Sequence, residues 1–180
     1  MTRFVDRGAV VAAGVGAGVA VTVGVSFLLI IPIDPVVWLL ALPSGALIGY
    51  YANVRSGRQA GPLRRIVANG LVAATATALT SIVLMFAVKA LFFAADDGYR
   101  DPGLGGRIEC VTGADCVYRR YVEAQPRDLA AAGVIDTASF TRYYWDQHLR
   151  IAGLVAGLTL SGGLAGAISF AGRTRPSRAA

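Results

Sequence analysis

Few residues in this 180-residue chain have types and spacing that could do chemistry, and each is constrained by where it falls. Lys89 is the one ionisable side chain inside a long apolar run, which makes it a candidate functional polar residue. It stands about five residues from the end of that run, so its stem can carry the ammonium outward to Asp96 or to lipid headgroups. His148, the single histidine, follows Asp146 at the edge of another run. An acid–base role is conceivable there, and a structural one is the commoner use of a lone histidine.

Cys110 and Cys116 are the only cysteines, and Gly113 and Asp115 between them supply a turn. An even count in a polar segment predicts a disulfide. Closing so small a loop stabilises the ordered form by roughly 2–2.5 kcal/mol in the chain-entropy description. Two cysteines and one distant histidine are too few ligands for zinc, and no metal or cofactor is expected. A proton relay needs a chain of ionisable groups, and a haem site usually needs a histidine pair; neither pattern is present in the sequence. Gly14, Gly16 and Gly18 do not form a dinucleotide fingerprint, because the third glycine belongs at position 19, which is Val.

The elements that must position these residues are long and apolar. The chain is 55% hydrophobic and 16% charged, below the roughly one quarter charged of a soluble domain. A bilayer crossing needs about 20 apolar residues. Three runs qualify, at about Gly8–Ile31, Ile66–Ala94 and Ile151–Ala171, with a polar segment over 95–150. A further run, second in chain order at about Val36–Tyr51, is short. The competing reading of it as a re-entrant segment would put the arginines that follow on the wrong side, so it too reads as a crossing. The first exceeds a signal-peptide core and no A-x-A-like site closes it, so it reads as an uncleaved span. The second carries Pro43, which removes one helical hydrogen bond and predicts a kink.

Arginine is dealt out unevenly around these runs. The N-terminus, the loop after the second run and the C-terminal tail hold nine Arg and one acid, Asp6. The segment from Asp96 to Arg150 holds seven Arg and nine acids. Basic residues accumulate on the cytoplasmic side, which predicts both termini inside and the cysteine-bearing segment outside. Trp38, Phe92, Phe93, Tyr143, Tyr144 and Trp145 then fall at outer span ends, with Phe4, Tyr50 and Tyr51 at inner ends, as headgroup-level aromatics do. A net charge of +6 does not imply nucleic acid here, since the arginines flank apolar spans instead of covering a solvated face. Their contacts are membrane lipids. Arg outnumbers Lys sixteen to one, which points to a high-GC, bacterial genome.

Helices in lipid associate by close packing, so small residues four apart mark contact faces. The first run offers Ala12, Gly16, Ala20 and Gly24, with Gly14 and Gly18 on a neighbouring stripe. The second offers Gly45 and Gly49. The fourth offers Gly153, Gly157, Ser161 and Ala165, with Gly162 and Gly166 beside them. The third differs in its hydroxyls, Thr75, Thr77, Thr80 and Ser81.

Three short helices are expected outside the membrane. One spans Val117–Glu123, one runs from Pro126 to Gly133, and one is capped by Asp136 or Thr137 and continues towards the last span. Tyr118, Tyr121, Phe140, Tyr144 and Trp145 there form a candidate partner surface, aromatics being favoured at binding hot spots.

These observations predict an all-α integral membrane protein: a four-transmembrane-helix bundle with a disulfide-bearing helical extracytoplasmic loop between its third and fourth spans. The expected role is non-catalytic, an accessory subunit, assembly factor or interaction partner in a bacterial cytoplasmic membrane, with a membrane protein or a second copy as partner. The alternative is a small transporter or channel component using Lys89 and the hydroxyl-rich third helix.

Overall fold

The computed structural model describes residues 5–29, 34–57, 61–95, 110 and 112–173, of which 26–29 and 34–38 are described by their backbone. Among these all regular structure is helical: α1 (Arg7–Leu29), α2 (Asp34–Arg55), α3 (Leu63–Ala95), α4 (Ala114–Ala124), α5 (Pro126–Ala131) and α6 (Thr137–Arg173). Three are long and apolar enough to cross a bilayer: α1 over Arg7–Val25, α3 and α6. The fold is that of an all-α membrane protein. Pro43 lies inside α2 without ending it.

Two helices overrun the hydrocarbon. α3 has 33 residues and α6 has 37, roughly 50 and 55 Å at 1.5 Å per residue, against a core about 30 Å thick. α6 starts at Thr137, well before the apolar run at Ile151, as one uninterrupted helix. Nothing in the intervening sequence breaks it, since neither Gly nor Pro occurs between Asp136 and Gly153.

The chain forms two compact units, Met1–Leu84 with Ala152–Ala180, and Met85–Ile151. In the first unit glycine sets how closely α2 and α6 approach. A Cβ at Gly45 would overlap the carbonyl of Thr159, and one at Gly49 that of Gly163. Reciprocally, Gly162 faces the Leu42 carbonyl and Gly166 that of Ala46. The glycine hydrogen in each direction points at a carbonyl oxygen, the arrangement of weak Cα–H···O contacts between close helices. Gly163 and Gly70 bring α6 against α3, where Cβ atoms would crowd Ala74 and Ala167. α1 buries Ala9 and Ala12 with Ile48, Ala52 and Ala73, while Gly16 leaves room for the Thr77 hydroxyl.

Among the glycines predicted to pack, Gly16, Gly45, Gly49, Gly162 and Gly166 face a neighbouring helix. Gly14, Gly18, Gly153 and Gly157 do not: a Cβ on any of them would have nothing within 4 Å. On α1, residues two apart are turned by roughly 200°, so the Gly16 stripe and the Gly14 stripe lie on different sides.

The second unit is an aromatic core closed by its turns. Val117, Leu129, Val134, Phe140 and Tyr144 are buried together, with Phe93, Tyr118, Tyr121, Tyr143 and Trp145 packed against them. α5 ends in a Schellman motif: Gly133, at φ 69°, donates to the Ala130 carbonyl (3.1 Å) and Val134 to that of Leu129 (2.9 Å). Leu129 and Val134 then meet in the core, the apolar contact that accompanies this motif. Cys110 and Cys116 are joined by a disulfide, their Cα atoms 5.3 Å apart. It ties the segment before α4 to Cys116, which is buried in the first turn of that helix.

Asp136 caps α6. Its Oδ1 accepts the Ser139 N–H (2.7 Å) and hydroxyl (2.6 Å), while Ser139 Oγ accepts the Asp136 N–H (3.1 Å). This is a reciprocal capping box with Ser in the third position. The Ser139 hydroxyl, and next its backbone N–H, hold the Asp136 carboxyl below its ordinary pKa. A lowered folded-state pKa means the cap stabilises above the ordinary carboxylate range and is lost as pH falls through the lowered value. Asp136→Ala is therefore expected to speed amide exchange at Ser139 relative to wild type at neutral pH. The ratio of the two rates should fall towards one in acid; a pH-independent ratio would show that the carboxylate is not the cap.

Candidate functional site

Among the described residues, buried polar side chains converge in a clamp at one end of the first unit, where the ends of α1, α2 and α3 meet. Gly8 makes it possible, because its missing side chain lets α1 rest on the backbone of Arg55 and Ser56. Asn53 on α2 and Asn69 on α3 are both 0% exposed. Asn69 pairs with Asp6 through two bonds, accepting the Asp6 N–H at Oδ1 (3.0 Å) and donating from Nδ2 to Oδ2 (2.9 Å). A donor on one side and an acceptor on the other fix the orientation of the amide. The same Nδ2 lies 3.3 Å from Asn53 Oδ1 and 3.4 Å from Ser56 Oγ.

Asn53 completes the clamp by donating to the carbonyls of Gly49 (3.1 Å) and Ile66 (3.0 Å). Ser56 Oγ donates to Ala52 O at 2.6 Å. Arg65 Nε stands 3.4 Å from Asp6 Oδ1, a charge pair in which the carboxylate is 13% exposed. Carboxylate, amides, hydroxyl and guanidinium thus form one continuous hydrogen-bonding and ionic set joining three helices. Its chemistry is positional: it fixes which turn of each helix lies beside which.

None of these clamp residues stands among the candidates drawn from the ionisable groups. A signal exists nonetheless. Asn53 and Asn69 are the only asparagines in the chain, and they flank one arginine-rich loop at similar distance, after Ala52 and Ala68. Polar amides inside apolar helices bond across to neighbours.

The residues expected to be functional lie elsewhere. Lys89 is half-buried in α3 of the second unit, where its backbone carbonyl accepts the Tyr144 hydroxyl at 3.3 Å. Asp96, its expected partner, lies outside the described residues. His148 is 3% exposed, not at the surface. Its Nδ1 is 2.7 Å from the Tyr144 carbonyl one turn back, and its ring packs 4.3 Å from the Tyr144 ring. That is a packed, hydrogen-bonded histidine.

The aromatic partner surface needs correction. Phe140 is 0% exposed and Tyr144 4%, so neither is available to a partner. The reason is their spacing of four on α6, which turns both rings inward. Phe140 packs on Tyr118 (5.4 Å) and Tyr121 (5.1 Å) of α4. Trp145 stacks on Phe86 at 6.1 Å and meets Phe93 at 5.5 Å. Helices as short as α4 and α5 are not stable alone, and these rings supply the surface that holds them.

Of the α3 hydroxyls, Thr77, Thr80 and Ser81 donate to the carbonyls of Ala73, Ala76 and Thr77 in their own helix. Comparison with protein families, with curated proteins and with solved structures gave no match to this chain.

Proposed function

We propose that this chain is a non-catalytic membrane protein, an accessory subunit or assembly factor, that docks a membrane-protein partner or a second copy along α1. The observation that carries this reading is the pair Gly14 and Gly18, each with open space where a side chain would be. Glycine in a helix is less favourable than alanine by about 1 kcal/mol, and among the described residues a side chain at either position would meet no neighbour. They are bracketed by exposed Val10, Val11, Val15, Val19 and Val21. Valine in a helix is already confined to one rotamer, so covering it loses little side-chain entropy. A glycine groove walled by valine suits a helix approaching in lipid. Gly153 and Gly157 on α6 offer a second open stripe, flanked by the more flexible Leu149 and Leu154.

The topology that goes with this reading has α2 as a fourth crossing beside α1, α3 and α6. Both termini lie in the cytoplasm of a bacterium, and the disulfide-bearing cap lies outside, following the arginine distribution. A transport role has less support, because three of the four α3 hydroxyls, Thr77, Thr80 and Ser81, bond to their own helix.

The test is purification of the untagged protein in mild detergent after cross-linking in cells. Wild type is expected to carry a partner or a second copy. Gly14→Leu with Gly18→Leu is expected to lose it while helix content and melting stay unchanged. A wild-type protein that emerges as a clean monomer, and whose deletion leaves every membrane complex intact, sinks the reading.

A further inference from the structure

We infer that the end of α6 holds a binding site for the phosphate of an anionic phospholipid, built on Arg173 and Tyr50. The Arg173 guanidinium lies over the Tyr50 ring, 5.7 Å from its centroid, with Nη1 3.4 Å from the Tyr50 hydroxyl. Tyr50 is itself held edge-on by Phe170, 5.7 Å away at 73°. Phe170 is buried with Ile66 and Ala167. A cation at the end of an apolar helix is thus positioned on a floor of fixed rings. Arg173 stays exposed, and a guanidinium engaged through its face and one nitrogen keeps further N–H donors for a phosphate.

The surrounding charge favours an anion. Arg7 and Arg55 are exposed at the same end of this unit, brought together where Gly8 rests on the Arg55–Ser56 backbone. The acid of the clamp, Asp6, is turned inward to Asn69 and Arg65, so it does not offset them. Ligand chemistry follows from depth. The ring floor beneath Arg173 is apolar and continuous with a bilayer-crossing helix, so the phosphate that reaches it carries acyl chains alongside. This inference needs no protein partner and stands apart from the docking reading of α1.

The experiment is native mass spectrometry of the full-length protein from mild detergent, titrated with phosphatidylglycerol or phosphatidylcholine. Phosphatidylglycerol is expected to be retained in preference to phosphatidylcholine. Arg173→Gln should weaken that retention roughly fivefold, the effect of about one interfacial arginine. Tyr50→Leu, which removes the ring that places the guanidinium, should do the same, with circular dichroism confirming that both variants stay folded. Arg127→Gln, in the other unit, should change nothing. Equal retention of the two lipids, unaltered retention in Arg173→Gln, or an equal loss in Arg127→Gln each overturns the proposal. So does displacement of the lipid by millimolar inorganic phosphate, which would make free phosphate the ligand, or by a short RNA.

Discussion

Gly166→Leu is expected to separate α6 from α2 and destabilise the first unit by about 3 kcal/mol or more, the upper range for overpacking. Most overpacked sites relax by moving a neighbouring side chain. Here the obstacle is the Ala46 carbonyl and the Tyr50 backbone N–H, which are part of the α2 helix itself. A new side chain can be admitted only by moving the whole helix, which would also disturb the reciprocal contacts at Gly45, Gly49 and Gly162. Gly166→Ala should already be harmful, since a Cβ alone overlaps that carbonyl. Gly14→Leu is the internal control: it meets open space and should leave melting in detergent unchanged or slightly raised. Thermal unfolding of the three variants, followed by circular dichroism, ranks them. A ranking with Gly14→Leu as the most damaged would refute the packing described.

The contrast between these glycines marks how far the sequence can be read. The apolar runs over α1, α3 and α6 are legible because a bilayer demands continuous hydrophobicity, and that demand leaves a plain trace. Which side of each helix faces its neighbours is not. Lipid and protein interior are equally apolar, so a spanning helix carries no polar face to give its rotation away. Gly14 and Gly16 are the same residue type two positions apart, and only the position of Thr77 and Ile48 distinguishes them.

Outside the apolar runs, legibility is better for local features than for long-range ones. Pro126, Gly133 and Asp136 mark the boundaries of α5 and α6 through chemistry confined to a few residues. The fate of Phe140 and Tyr144 depends on where α4 and α5 lie, and aromatic composition reads alike for a core and for a docking surface. His148 illustrates the same limit. Next to Asp146 in sequence it looks exposed, yet the partner that defines it is the Tyr144 carbonyl, one helical turn away.

Asn69→Leu should be the most damaging single change at the clamp, lowering stability by about 3–5 kcal/mol. The estimate follows from what is left behind. Asp6 loses both a donor to its carboxylate and an acceptor for its N–H, and Asn53 Oδ1 loses its donor. Each stranded buried group costs about 1–3 kcal/mol, more for a charged one. Leucine at this position is apolar and near the right volume, so the loss would reflect stranded partners and not a cavity. Asn69→Asp should be comparably harmful, because it sets a second carboxylate against Asp6; adding Asp6→Asn should restore much of the loss by returning an amide–carboxylate pair. Urea or SDS unfolding of the single and double variants measures this coupling, and additivity within about 0.5 kcal/mol would mean that the two residues do not interact. The clamp matters beyond its energy. Small-residue contacts such as those among Ala9, Ala12, Ala52 and Ala73 are nearly self-similar after one turn, so by themselves they discriminate weakly between registers. The bonds among Asp6, Asn53 and Asn69 can form in one register only, as a buried asparagine fixes register in a coiled coil. An Asn69→Leu protein that keeps its helix content should therefore show altered cross-linking between cysteines placed on α1 and α3, with pairs one turn out of register now reacting.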